Sequence, residues 1–158
     1  MAAIAAMVFL VAAASVWRGA SSHSPNTPES VTDRPHLDSG MVPLVTGEES
    51  IQEQFARAGC PVCHTIPGII GATGRVGPPL LLGTNGVKRL ADPAYTGRAK
   101  TVREYIVESI VSPSDYVVPG YPDKAMPGWY GSKLSAGALD QMSSYLERLA
   151  ELSDRPAR

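Results

Sequence analysis

Cys60-Pro61-Val62-Cys63-His64, with Gly59 before it and Gly77-Pro78-Pro79-Leu80 after it, is the stretch on which the reading of this chain turns. The chain has 158 residues and two cysteines, and both lie in this string, so a disulfide-stapled scaffold is excluded and the thiols are there for local chemistry. Two thiols three residues apart, on a turn that follows a helix, are placed to form thioethers with the two vinyl groups of a haem. The adjacent imidazole is then directed at the iron, and Cys-x-x-Cys-His is the attachment sequence of c-type haem. Two other chemistries use the same residue types. A zinc site needs four ligands, and the remaining histidines, His23 and His36, lie far upstream in a proline-rich stretch. A thioredoxin-like redox pair wants a βαβ setting, and the pattern around Cys60 offers none.

Outward from this string the pattern is helical. Thr46-Gly47-Glu48-Glu49 has the form of a capping box, and Ile51, Phe55 and Ala58 recur at helical spacing up to Gly59, which predicts a helix over 47–58. A second helix is expected from Thr101, with Glu104 at the matching cap position, Val102, Tyr105, Ile106 and Ile110 on one face, and Pro113 as its stop. A third begins at Ser135 and carries Leu139, Met142, Tyr145, Leu146 and Leu149 as an apolar stripe. Residues 65–86 and 113–131 are rich in glycine and proline and read as long loops, and nothing alternates as a strand. The expected fold is all-α, with three main helices and long Gly/Pro-rich loops. So few helical residues do not enclose a sizeable core, and wrapping a large apolar cofactor is the natural way to complete one.

Residues 1–17 carry no charged side chain and are followed at once by Arg18. As a helix they would reach about 25 Å at 1.5 Å per residue, just enough for a membrane anchor. The competing reading is a cleaved secretory signal, for which Ala12-Ala13-Ala14 offers small residues while the basic leading region is missing. Residues 1–18 are therefore an anchor or signal segment, and either route takes the domain out of the cytoplasm. Residues 19–45, with prolines at 25, 28, 35 and 43, read as an extended linker, which leaves 46–158 as the folded domain. The net charge of −1, with 14 basic against 15 acidic residues, offers no field for nucleic acid. Lys88, Arg89, Arg98, Lys100 and Arg103, against Asp92 and Glu104, form a basic stretch that reads either as a solvated face or as a guide for an acidic redox partner.

Over residues 46–150 the order of these motifs resembles the class I cytochrome c family. A helix precedes Cys-x-x-Cys-His, a Gly-Pro-x-Leu segment follows it, and a Met-Pro pair stands in a loop before the last helix. The resemblance implies a small fold wrapped around one haem c, held covalently by Cys60 and Cys63. His64 would be the proximal iron ligand, Met126 the distal one, and the Pro78 carbonyl the acceptor of the His64 Nδ1 hydrogen. It implies that Leu80 lies at the cofactor and that the last helix packs across the first through Leu139, Tyr145 and Leu149 against Phe55. Met142 shares the helical stripe and reads as packing, whereas Met41, His23 and His36 precede the first helix and would have to fold back to reach the iron. Tyr121, Trp129 and Tyr130 have apolar bodies with polar tips suited to a haem edge and its propionates, or to ordinary loop packing. With both axial positions filled by the protein, single-electron transfer between membrane-bound or periplasmic redox proteins is favoured and no small-molecule substrate is expected. The chain would act on the periplasmic side of a membrane, as a tethered carrier or as a subunit of a respiratory or photosynthetic complex. Cleavage at the leader would instead release a soluble periplasmic protein. The alternative function is a peroxidase-like or gas-binding haem enzyme with a displaceable sixth ligand.

Overall fold

Thr101 and Glu104 hold each other across a helix start, as their spacing predicts. The Thr101 hydroxyl accepts the Glu104 N–H at 3.2 Å and the Glu104 carboxylate accepts the Thr101 N–H at 3.1 Å, which satisfies donors that the first turn leaves without intrahelical partners. The computed structural model describes residues 38–150, all within one unit of the chain. Its helices are α1 (Ile51–Arg57), α2 (Cys60–Cys63), α3 (Leu82–Leu90), α4 (Val102–Val111) and α5 (Ala136–Glu147), with 3-10 turns at Ser39–Met41 and Tyr130–Ser132. Among the described residues there is no strand, only isolated bridges at Val45–Leu134 and Thr65–Thr73. The fold class is all-α.

Helix α4 follows the cap at Thr101 and stops before Pro113, and α5 follows Ser135, whose hydroxyl accepts the Ala138 N–H at 3.1 Å. The first helix departs from expectation. It starts at Ile51 under a Ser50 cap, Ser50 Oγ accepting the Glu53 N–H at 3.3 Å. Thr46–Glu49 closes a tight turn instead, in which the Glu49 carboxylate accepts the N–H groups of Gly47 and Thr46 at 2.9 and 3.2 Å. Gly47 takes φ +91° there, and a Cβ on it would stand 2.8 Å from the Ala138 nitrogen. The apparent capping box therefore seats the chain against the start of α5.

Two further expectations are corrected. Leu82–Leu90, read as the end of a loop and the residues after it, is a helix, so three main helices become four plus the short turn of α2. Gly83 and Gly86 disguised it. A Cβ at Gly83 would lie 2.6 Å from the Glu147 carbonyl oxygen and one at Gly86 2.9 Å from a Val102 methyl, so these glycines allow α3 to touch the ends of α5 and α4. The Gly83 N–H also donates to the Leu149 carbonyl at 2.7 Å. The folded part also begins before residue 46, because Val42 and Val45 are buried and Val45 exchanges backbone bonds of 2.9 Å with Lys133 and Ser135. Two valines in a polar, proline-rich stretch were too sparse a signal to move the boundary of the 19–45 linker. Residues 1–37, which hold the anchor or signal segment and most of that linker, and residues 151–158 lie outside the described residues, and among those described no helix is long and apolar enough to cross a membrane.

The core joins Phe55 of α1, Tyr105 and Ile106 of α4, and Met142 and Leu146 of α5. Phe55 and Tyr145 meet with ring centroids 5.5 Å apart, the α1–α5 crossing that the resemblance implies. Arg103 ties α4 to α5 through Glu147 at 2.7 Å and Asp140 at 2.9 Å, and Arg89 lies against Tyr105, so these two cations of the basic stretch are engaged within the protein. If the α3 glycines are spacers, Gly83→Ala should destabilise the protein by about 1–3 kcal/mol in chemical denaturation. Gly128→Ala, where an added Cβ meets nothing within 4 Å, should change it by less than about 0.5 kcal/mol.

Candidate functional site

Gly59 makes the turn that starts the site. It adopts the left-handed conformation, φ 74° and ψ 9°, so the chain leaves α1 and immediately re-enters a helical turn at Cys60. That turn closes with the His64 N–H on the Cys60 carbonyl at 3.0 Å, after which His64 extends. The chain then makes a tightly bonded excursion and returns. Thr65 Oγ1 donates to the Gly74 carbonyl at 2.9 Å, the Ile66 N–H to the Ala72 carbonyl at 3.1 Å, and the Leu80 N–H to the Thr65 carbonyl at 2.9 Å. The Gly77 N–H reaches the Cys63 carbonyl at 2.8 Å, which brings Gly77-Pro78 directly over His64.

His64 Nδ1 lies 2.8 Å from the Pro78 carbonyl oxygen. A carbonyl only accepts, so Nδ1 carries the hydrogen and Nε2 holds the lone pair, the arrangement found in metal-binding histidines. Desolvation holds the His64 pKa below its ordinary value against the Pro78 bond, which raises it, and the Arg89 charge adds to the lowering. The imidazole is thus a neutral base with one free nitrogen. Gly77 makes the approach possible, since a Cβ there would fall 2.3 Å from His64 Cε1.

His64 lines a cavity of about 1200 Å³, counting the part open to solvent, with walls that are overwhelmingly apolar. Cys60 and Cys63 line it with free thiols, and so do Pro78, Leu80 and Met126. All six residues expected at a haem from the Cys-x-x-Cys-His, Gly-Pro-x-Leu and Met-Pro motifs therefore share one space. Tyr130 lines it too, but its hydroxyl donates to the Ala58 carbonyl at 3.1 Å, so the ring and not the polar tip faces the space. Tyr121 contributes to the lining, while Trp129 packs on Tyr130 at 4.4 Å between centroids. Met142 is buried on α5 and also reaches the cavity wall, Met41 is exposed, and His23 and His36 lie outside the described residues.

The polar rim was not foreseen. Among the described residues, Arg89 and Lys124 are the cations of the lining, and no carboxylate belongs to it. Arg89 donates to the Tyr105 hydroxyl at 3.0 Å, which fixes the guanidinium at the wall. Its signal was hidden with α3, because a residue in a supposed loop has no defined face. An apolar slot with two cations and no anion suits a large flat apolar molecule bearing two carboxylates. Desolvation pushes the Cys60 thiol up to about 12 and raises that of Cys63 as well, which keeps both as thiols. Among the described residues no group of three His, Cys, Asp or Glu side chains converges on a point.

Compared with models of protein families, with curated proteins and with solved structures, the chain matches none. If the close packing of Gly77 is what orients His64, Gly77→Ala should break the Nδ1–Pro78 bond and cost about 1–3 kcal/mol of stability. Denaturation measures the second effect, and the shift of the His64 ring resonances measures the first.

Proposed function

We propose that the protein is a mono-haem c-type cytochrome of the class I fold, carrying single electrons between membrane-bound or periplasmic redox proteins. The observation that carries this reading is the His64–Pro78 bond at the wall of an apolar cavity shared with Cys60, Cys63 and Met126. The residues present fit a haem c. The two thiols would hold it as thioethers, and His64 Nε2 and the Met126 thioether would be its axial ligands. Arg89 and Lys124 would face its two propionates, while Leu80, Leu82 and Tyr130 exclude water. When bound, the haem supplies a one-electron iron couple in a dry site. What the chain contributes is a fixed imidazole plane, a neutral thioether donor and two positive charges that favour the reduced state. Residues 1–18 would hold the domain on the periplasmic side of a membrane, with the linker as tether, whether the protein is a free carrier or a subunit of a larger complex.

The chromophore should stay on the polypeptide through acid–acetone extraction, and Cys60→Ser should mature poorly. Free haem in the organic phase, or normal maturation of Cys60→Ser, would defeat the reading. The ferric protein should show the weak far-red band of methionine ligation, lost in Met126→Ala and kept in Met142→Leu, with a lower reduction potential in the first variant. Exchange of the two behaviours would make Met142 the ligand.

One observation favours a second reading, a haem that reacts with small ligands. Between residues 116 and 128 the backbone makes a single hydrogen bond among the described residues, Tyr121 N–H to the Val118 carbonyl at 3.1 Å. Lys124 within this segment holds φ 57°, uncommon for a residue with a side chain. The Met126 side of the cavity is far less tied than the His64 side, so a displaceable Met126 follows naturally. Rapid carbon monoxide binding by the ferrous protein supports this reading, and no binding leaves electron transfer alone.

A further inference from the structure

Three tyrosines form a contiguous cluster beside the cavity. Tyr105 and Tyr116 line it. Tyr95 does not, yet its ring meets both edge-on, with centroids 5.1 Å from Tyr116 and 5.9 Å from Tyr105, and Tyr105 and Tyr116 are 6.4 Å apart. Their hydroxyls differ in a way that matters for oxidation. Tyr105 accepts from the Arg89 guanidinium, so a positive charge sits on its oxygen and opposes removal of an electron. Tyr116 donates to the Asp92 carboxylate over a long 3.3 Å. Tyr95 donates to the Glu108 carboxylate in a close contact, and its oxygen also accepts the Ala99 N–H at 3.1 Å.

A phenol that loses an electron becomes a strong acid and must release its proton in the same event or nearly so, which makes a pre-bonded base the deciding feature. Glu108 is such a base, and it is held in place because it also accepts the Arg98 N–H at 2.7 Å. We infer that Tyr95 is a redox-active tyrosine, which takes oxidising equivalents from the cavity through Tyr116 and passes its proton to Glu108. The inference rests on the haem reading, and on its ligand-reactive form for the oxidant, a centre oxidised by hydrogen peroxide. One electron leaves Tyr95 and reduces that centre by one equivalent. The phenolic proton moves to Glu108, leaving a neutral tyrosyl radical and a carboxylic acid. An external one-electron reductant restores both, because Glu108 returns its proton to the Tyr95 oxygen as the electron arrives. Such a path would draw a damaging oxidant away from Met126 and Met142, the oxidisable thioethers of the cavity.

The test is peroxide treatment of the full-length holoprotein, rapid freezing and electron paramagnetic resonance. A tyrosyl radical is expected, with most of its intensity lost in Tyr95→Phe and retained in Tyr121→Phe, which removes a different cavity hydroxyl. Glu108→Gln keeps an acceptor oxygen for the loop but is a far weaker base, and should also reduce the signal. Tyr95→Phe keeps the ring contacts but gives up two hydrogen bonds, so a folded protein with an unchanged haem spectrum beside a lost radical separates electron transfer from loss of structure. No tyrosyl radical in the parent protein, or one that persists in Tyr95→Phe, overturns the inference while a covalent haem spectrum leaves the haem reading intact. If the purified chain carries no haem, that reading fails by itself, and oxidation with radiolytic azide radicals decides for Tyr95. A tyrosyl that settles on Tyr95 supports its role as the site of easiest oxidation, and one that settles elsewhere refutes it.

Discussion

The bond between His64 Nδ1 and the Pro78 carbonyl is the constraint on which the arrangement of the rest depends. It requires the chain to leave α1 and pass through the two cysteines in one turn. The chain must then come back over the imidazole closely enough that only glycine fits at residue 77. Each requirement has a visible device. Gly59 reverses the chain in the left-handed region, the Gly77 N–H is pinned to the Cys63 carbonyl at 2.8 Å, and Leu80 is pinned to Thr65 at 2.9 Å. The wall around His64 is therefore fixed by backbone bonds. A ring held in this way offers Nε2 in a fixed direction, and any metal ligation there costs little further ordering.

The helices that could be read from the sequence were those whose ends are chemically marked. Thr101 with Glu104 and Ser135 ahead of a leucine stripe are local signals, and local hydrogen bonds decide them in the structure. Helix α3 was not legible, because Gly83 and Gly86 answer to tertiary contacts with Glu147, Leu149 and Val102 that no local pattern reveals. No side chain caps its start either. Thr46–Glu49 failed for the opposite reason: the residues make the expected kind of local bond, but in service of a turn packed on α5. At the site, the spaced motif residues could be read directly and do meet in one cavity. Arg89 could not, since its place depends on the helix that was missed. For Tyr130 the sequence leaves a haem edge and ordinary loop packing open, and in the structure it lines the cavity while its hydroxyl is spent on Ala58.

The two sides of the cavity are built on different principles. Backbone bonds fix the proximal segment, whereas the segment 113–129 is fixed mostly at its ends and by the side chains it sends into the cavity. Its leading end is held where Asp115 N–H meets the Ser112 carbonyl at 3.0 Å and Thr96 donates to the Asp115 carbonyl. Its trailing end is held by the Tyr130–Ser132 turn and the Val45–Leu134 bridge. Four prolines, at 113, 119, 122 and 127, remove donors in between, so the middle has fewer bonds available even in principle. A loop of this kind takes its order from what it covers. Burial of Met126 and its neighbours against the protein's own apolar core is then the principal force that orders this wall, whereas backbone bonds order the wall around His64.

Tyr130 links these two regimes. It follows directly on the loosely tied segment, and its buried hydroxyl donates to the carbonyl of Ala58, the last residue before Gly59 and Cys60. A buried hydrogen bond is worth about 0.5–1.5 kcal/mol while it is made, but leaving its groups unpaired away from water costs about 1–3 kcal/mol. The trailing end of the distal loop is thereby anchored to the end of α1 that sets the direction of the cysteine turn. Movement of Met126 away from the cavity would have to occur within 113–129, between anchors that stay in place, and need not disturb His64. The backbone bonds around His64 make that separation possible, because they leave the positions of Cys60, Cys63 and His64 independent of the loop.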